Sequence, residues 1–523
     1  MILFFGDIST QVIAVEYHAK LLETDIKKLI WLFGHQRPID GDHIQQAFIG
    51  PRPSMITPWS TNAVEITRNM GIANITRMEQ FFPLPETYDK MIFQAFSRLD
   101  QEIFTVDITP EPIQYIDDIH TYNQSEGLAL STQEVDYLEH VSKKIGRKLT
   151  DSEVFGFSQI NSEHCRHKIF NGQFIIDGQK KNKSLFQWIK QTSQTHPNSI
   201  VSAYKDNVAL VQGPTTTQFA PAAQDKPASY TTSTFASTLS LKAETHNFPT
   251  TVEPFSGAAT GSGGEIRDRL AGGQGSIPLA GTAVYMTPYS RIQKEKPWGI
   301  DDRDWLYQTP LEILIKASNG ASDFGNKFGQ PLITGSVLTF EHEEQGSKLG
   351  YDKVIMQAGG IGYAKVEHAE KLPLTKGDKI VILGGDNYRI GMGGAAVSST
   401  DTGDLDRSIE LNAVQRSNPE MQKRAANVIR AMVESSSNAI KSIHDHGAGG
   451  HLNCLSELVE KTGGSIDMDK LPIGDHTLSA KELIGNESQE RMGLVVSEKD
   501  IDLLQTIADR ERCPMYVVGE VTE

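Results

Sequence analysis

Between Leu241 and Ile277 the chain reads LKAETHNFPTTVEPFSGAATGSGGEIRDRLAGGQGSI. Glu244, His246 and Asp268 bring carboxylates and an imidazole, Lys242 and Arg267 bring positive charge, and Gly257, Gly261, Gly263 and Gly264 bring bare backbone. That mixture suits a polyphosphate and its magnesium. Carboxylates hold Mg2+, glycine backbone N–H groups can cradle phosphate oxygens, and arginine grips an anion bidentately. The sequence therefore predicts a glycine-rich phosphate loop over Gly257–Asp268. It is not a Walker A motif, because no Gly-Lys-Ser/Thr closes it, and the dinucleotide spacing of glycines is absent. A plain glycine-rich surface turn is the alternative, and the charged neighbours argue against it.

Three further stretches carry chemistry. Asn161–Lys168 packs Glu163, His164, Cys165, Arg166, His167 and Lys168 together. A zinc site needs a second ligand pair, which is not evident. A Cys–His nucleophile and a solvated helix end are both compatible with it; the preferred reading is a loop that adds charge to the phosphate site. Ser442–Gly450 (SIHDHGAGG) reads as a strand ending in an acidic glycine turn. Glu487–Arg491 gathers polar residues just before the apolar run Met492–Val496.

Several elements must position these groups. Met1–Phe5 and Gln11–Tyr17 read as strands, Leu21–Leu32 has helical spacing, and Thr61 or Asn62 is the expected cap of the helix that follows. Ser131–Glu134 and Thr150–Glu153 are capping boxes, with Gly146 stopping the first of those helices. Val208–Gln212, Gly281–Met286 and Val354–Gly360 read as strands, and Thr309–Ala317 as a helix leading into a Gly/Asn loop. Lys376–Gly385 contains a buried strand, and Asn418-Pro419 caps a helix. The expected domains are an N-terminal α+β domain over 1–118, a helical linker over 119–184, an α/β domain over 185–371 and a second over 372–523.

The 523 residues carry a net charge of −16 and 38% hydrophobic residues. An acidic soluble protein is a poor candidate for nucleic acid or an anionic membrane, so anionic small molecules must meet a local concentration of arginine, lysine and metal. Three cysteines without a CxxC pair argue for a reducing compartment. The stretch MILFFGDIST, with no basic n-region, does not read as a signal peptide, and no apolar run is long enough to cross a membrane, so the expected location is cytoplasmic.

SEHCRHK, KAETHNFPT, GAATGSGGEIRD, LNAVQRSNPEMQKR, SIHDHGAGG and NESQERM occur in this order. Together they resemble the phosphoribosylformylglycinamidine synthase family. GPRPSMITPWSTNAVEI is similar to its large, single-chain form. The resemblance implies a multidomain α/β and α+β fold: a small N-terminal domain, a helical linker, then A-type and B-type domains similar to aminoimidazole ribonucleotide synthetase. Against the large form, the second half of the core and the glutaminase domain are missing. The expectation is thus an N-terminal portion with a truncated B-type domain, inactive by itself in glutamine-dependent synthesis. Phe248 stands where some relatives carry a second histidine.

The family's reaction converts formylglycinamide ribonucleotide to the amidine with ATP and ammonia, through an iminophosphate. By motif matching, the resemblance makes His246 and His164 catalytic and Glu244, Asp268 and Asp445 the Mg2+ ligands. It turns His167, Lys242 and the run Gly257, Ala258, Ala259, Thr260, Gly261, Ser262, Gly263, Gly264, Glu265, Ile266, Arg267 and Asp268 toward ATP. Thr245, Asn247, Arg267, Gln415, Glu487, Ser488 and Gln489 would bind the ribonucleotide. The rival readings are another ATP-dependent synthetase of the superfamily and a non-catalytic nucleotide-binding scaffold.

Overall fold

The computed structural model describes residues 1–523 except 165, 294–297, 406 and 489, with residue 408 described by its backbone alone. The chain forms two compact units. The first comprises Met1–Pro112 with Asp386–Arg389 and Ile473–Ser479. Its five-stranded sheet runs Ile2–Asp7, Gln11–Tyr17, Ile75–Pro83, Phe48–Pro51, Phe93–Phe96. Helices Glu23–Leu32 and Pro58–Asn69 bury Leu29, Ala63 and Val64 against one face of it. Thr57, not Thr61 or Asn62, caps the second helix, its hydroxyl accepting from the Ser60 N–H at 3.1 Å. The cap falls there because Pro58 already has the φ of a first helical residue. Thr57 is also fixed by donating to Glu79 at 2.6 Å.

The second unit comprises Ile113–Gly385, Ile390–Pro472 and Ala480–Glu523. It opens with helices Ile119–Glu126, Thr132–Ile145 and Asp151–Ile160. Both predicted capping boxes form, and Gly146 ends the middle helix in the left-handed region at φ 73°. A six-stranded sheet follows, in the order Leu332–Thr339, Ile277–Thr287, Ile355–Lys365, Tyr230–Thr245, Ala209–Pro221, Ile200–Ser202. Its first pair is parallel and the others are antiparallel. A five-stranded antiparallel sheet is ordered Ile440–Asp445, Arg491–Val496, Lys379–Gly384, Met515–Val521, Gly464–Ile466. Helices Pro254–Leu270 and Pro310–Phe328 share one core with Pro419–Glu434 and Ile501–Glu511: Ile266, Phe324, Val381, Ile429, Leu494 and Leu504 are all fully buried in it.

Two predicted loops are helices. Gly257–Asp268 lies inside the buried helix Pro254–Leu270, and the Gly/Asn stretch after Ala317 continues the helix Pro310–Phe328. Most backbone N–H groups of the first are therefore spent within the helix and are not available to cradle phosphate. The glycines serve close approach instead. A Cβ on Gly263 would stand 2.7 Å from the Phe324 ring, and one on Gly261 2.9 Å from His246 Cβ. A Cβ on Gly257 would collide with the backbone of Pro249 and Thr250, and one on Gly320 with that of Phe255.

This packing sets the sign of a substitution. Replacing glycine by alanine inside an exposed helix stabilises by about 1 kcal/mol. Gly257→Ala is expected to destabilise by about 1–3 kcal/mol, the usual result of overpacking against atoms that cannot yield. Urea unfolding of wild type and variant measures it; an increase in stability would contradict the packing account.

Candidate active site

In the strand Tyr230–Thr245, side chains alternate between faces. Thr238 and Ser240 are buried, Lys242 and Glu244 half-buried, and Leu241, Ala243 and Thr245 exposed. Lys242, Glu244 and, one step beyond the strand, His246 thus share the face covered by the helix Pro254–Leu270. That helix delivers Gly264, Arg267 and Asp268 to the same place: a Cβ on Gly264 would lie 3.7 Å from Arg267 Nη2 and 3.9 Å from Glu244 Oε2. Asp445 arrives from the end of the strand Ile440–Asp445.

Glu244, Asp268 and Asp445 converge. Asp268 Oδ2 lies 3.0 Å from the Lys242 ammonium, which is 3.8 Å from Glu244. The Asn207 side-chain amide donates to Asp268 at 3.0 Å and to Asp445 at 2.6 Å. Burial, then the Glu244 and Asp445 charges, push the Asp268 carboxyl well above its ordinary range. Burial pulls the same way on Asp445, but the contact with His444, helped by Arg267 and Lys242, carries that carboxyl below its usual value. Burial would lower the Lys242 ammonium, yet Asp268 and Glu244 raise it, so it stays charged. Arg267 is buried and donates to Gln422 at 2.8 Å.

Oxygen donors of this kind suit a hard divalent cation. Among the described residues no three His, Cys, Asp or Glu side chains stand ready to hold a metal ion. Lys242 and Asn207 engage the carboxylate oxygens that converge.

His246 Nδ1 lies 2.6 Å from the Gly257 carbonyl oxygen. A carbonyl only accepts, so Nδ1 carries the proton. Burial lowers the ring to about 4, so near neutrality it is uncharged and Nε2 keeps its lone pair. His164 is lowered too, chiefly by burial, against the pull of Glu244. Its Nδ1 is 2.7 Å from the Ser398 hydroxyl.

The other residues that the resemblance points to have different surroundings. Ala258, Ala259, Thr260, Ser262 and Ile266 are buried in packing, and Glu265 pairs with Arg269 at 2.6 Å while accepting from Gln330 at 2.8 Å. Their burial supports the packing of the helix. Thr245 points to the opposite, exposed face. Asn247 accepts from the Met356 N–H at 3.2 Å. His167 is exposed, its ring edge-on to Phe186. Gln489, and Cys165 of the alternative nucleophile reading, lie outside the described residues.

Glu487 anchors a second cluster. Its carboxylate accepts from the backbone N–H of Ala395 at 2.9 Å and Gly449 at 3.0 Å, and from Gln415 at 3.2 Å. Ser488 N–H donates to Asn486 at 2.8 Å. Asn207, His444 and Glu490 were missed from sequence. Only their positions signalled them: Asn207 just before a strand, His444 and Glu490 within motifs already marked.

Glu487 makes stability depend on pH. Burial raises its carboxyl to about 7, so between about 4.5 and 7 the folded state binds more protons than the unfolded one. Stability from this group is fully present below about pH 4.5 and is lost as pH rises through about 7, by about 3 kcal/mol. Glu490 is raised to about 7 by burial as well and adds in the same direction. Relative to wild type, Glu487→Gln is expected to gain stability from pH 4.5 to 8, read from urea midpoints. A difference that does not change with pH would contradict this.

Three family models match in order. Formylglycinamide ribonucleotide amidotransferase N-terminal covers residues 10–92, the linker domain of the same amidotransferase covers 119–168, and AIR synthase related protein, C-terminal domain, covers 375–523. Among solved structures the chain is similar to Thermotoga maritima PurL complexed with FGAR, at 26% identity and a TM-score of 0.52, covering 74% of this chain and 52% of that one. It is also similar in fold to phosphoribosylformylglycinamidine synthase II from Thermotoga maritima, at 24% identity and a TM-score of 0.50, covering 74% of this chain and 51% of that one. The chain thus spans about half the length of these structures. With its N-terminal, linker and synthase-related domains in this order, the chain belongs to the phosphoribosylformylglycinamidine synthase family.

Proposed function

We propose that the protein converts formylglycinamide ribonucleotide, ATP and ammonia to formylglycinamidine ribonucleotide in purine biosynthesis. The observation that carries the reading is the uncharged His246, whose Nε2 is engaged by none of the described residues, set beside Glu244, Lys242 and the paired aspartates. A relative of the same family is complexed with FGAR. The matched N-terminal and linker domains favour this over the shorter aminoimidazole ribonucleotide enzyme.

The reaction must activate an amide oxygen, a poor leaving group, by phosphorylation, and then admit ammonia at the carbon. His246 accepts a hydrogen bond from the amide N–H or the incoming ammonia through Nε2. With its low proton affinity, it orients and takes a proton in passing without being trapped as imidazolium. Arg267 and Lys242 offer positive charge to phosphate. Glu487 and Gln415 line the ribonucleotide side. Glu244, Asp268 and Asp445 would hold Mg2+, which supplies charge neutralisation to the transferring phosphoryl group. The burial of the pocket excludes water from the activated amide. Ammonia would come from glutamine through a glutaminase domain or partner. The free buried Cys454 and Cys513 support a cytoplasmic setting; among the described residues no helix is long and apolar enough to cross a membrane.

His246→Asn tests the reading. It is expected to leave FGAR and ATP binding near wild type by calorimetry. Ammonia-dependent amidine formation should fall by about 10²–10⁴ in kcat, the contribution of a positioned acid–base group. Normal ammonia turnover by a folded variant would make His246 structural. Failure of the wild-type chain to bind FGAR would remove the substrate assignment itself.

A further inference from the structure

The geometry points to Asn207 as the residue that sets the two aspartates of the pocket against each other. It is a positioning residue, and the inference rests on the reading of the pocket as a divalent-cation centre. Asp268 lies near the end of a helix packed on the six-stranded sheet, and Asp445 ends a strand of the five-stranded sheet. Two carboxylates delivered by separate layers repel each other, and chain connectivity fixes neither relative to the other.

One amide nitrogen joins them. Asn207 Nδ2 is 3.0 Å from Asp268 Oδ1 and 2.6 Å from Asp445 Oδ1. A primary amide nitrogen has two hydrogens, so it supplies one to each carboxylate and has none left over. Being neutral, it bridges the pair without taking the charge that a cation would meet. It also commits one oxygen of each aspartate and leaves the two Oδ2 atoms; the Asp268 Oδ2 is the one 3.0 Å from Lys242. Asn207 thereby leaves the Oδ2 atoms as the ones an arriving cation would engage, at Asp268 in place of the Lys242 ammonium.

Asn207 is itself held in place. Its backbone N–H donates to Asp206 Oδ1 at 2.9 Å. Asp206 accepts from the Gly273 N–H at 2.8 Å and pairs with Lys371 at 3.0 Å. Gly273 has φ 61°, and a Cβ there would run into the His368 carbonyl. The turn bearing Asn207 is therefore tied to the segment following the helix that carries Asp268.

The test uses the whole chain and Mn2+ as an oxygen-seeking probe, with free Mn2+ read by electron paramagnetic resonance and folding read by thermal midpoint. Wild type is expected to bind Mn2+ and Asp268→Asn to lose it. Asn207→Ala should weaken the Mn2+ dissociation constant about 10–100-fold, the usual effect of removing a group that orients metal ligands, while the thermal midpoint stays within a few degrees. If Asn207→Ala does not fold, Asn207→Ser decides: one hydroxyl donor serves only one aspartate, so its affinity should fall below wild type. Wild-type Mn2+ affinity in the folded alanine or serine variant, with Asp268→Asn still deficient, overturns the role of Asn207 alone. Absence of Mn2+ binding by wild type, or undiminished binding by Asp268→Asn, overturns the cation reading and this inference with it.

Discussion

Three carboxylates drawn together out of water repel one another, and the centre of this protein is built around that repulsion. At an effective dielectric near 20, two unit charges about 4 Å apart cost about 4 kcal/mol. The pocket meets this in three ways. The Lys242 ammonium sits among the acids, the Asn207 amide bridges two of them, and Asp268 takes on a raised proton affinity. His444 does the same for Asp445 from behind, held in turn against Glu457. Lys242, Arg267 and His444 thus stand against Glu244, Asp268 and Asp445 in one pocket.

The crowding depends on an unusually close helix-to-strand contact. Lys242, Glu244 and His246 reach Arg267 and Asp268 only because Gly257 and Gly261 let the helix lie against the short helix Asn247–Val252 and His246 itself. The buried Glu265–Arg269–Gln330 group fixes a neighbouring flank of the same helix. One substitution of glycine would therefore act on stability and on the spacing of the site at once.

Much of this was legible in the sequence. The capping boxes at Ser131 and Thr150, the Asn418-Pro419 start and the alternation leading into Glu244 all mark local hydrogen-bonding or burial, which local sequence encodes. The glycine runs misled, because glycine serves a tight turn and a tight helix contact equally well, and only the partner surface distinguishes them. Phe324 and Pro249, which make that surface, lie at other places in the chain. Thr245 and Glu265 sat beside residues of the pocket in sequence, but strand alternation turns Thr245 to the exposed face and Glu265 is taken up by Arg269 and Gln330. Asn207 was silent for the opposite reason: its importance lies in contacts with residues 61 and 238 positions away.

The central claim is that burial makes His246 a neutral acceptor within a charged pocket. Nitrogen-15 NMR of histidine-labelled protein, with His246→Asn to assign the signal, reads this directly. The account predicts an uncharged ring with the proton on Nδ1 from pH 8 down to about 5, consistent with a proton affinity near 4. A ring that becomes imidazolium near pH 6.5, or one that carries its proton on Nε2, would contradict it.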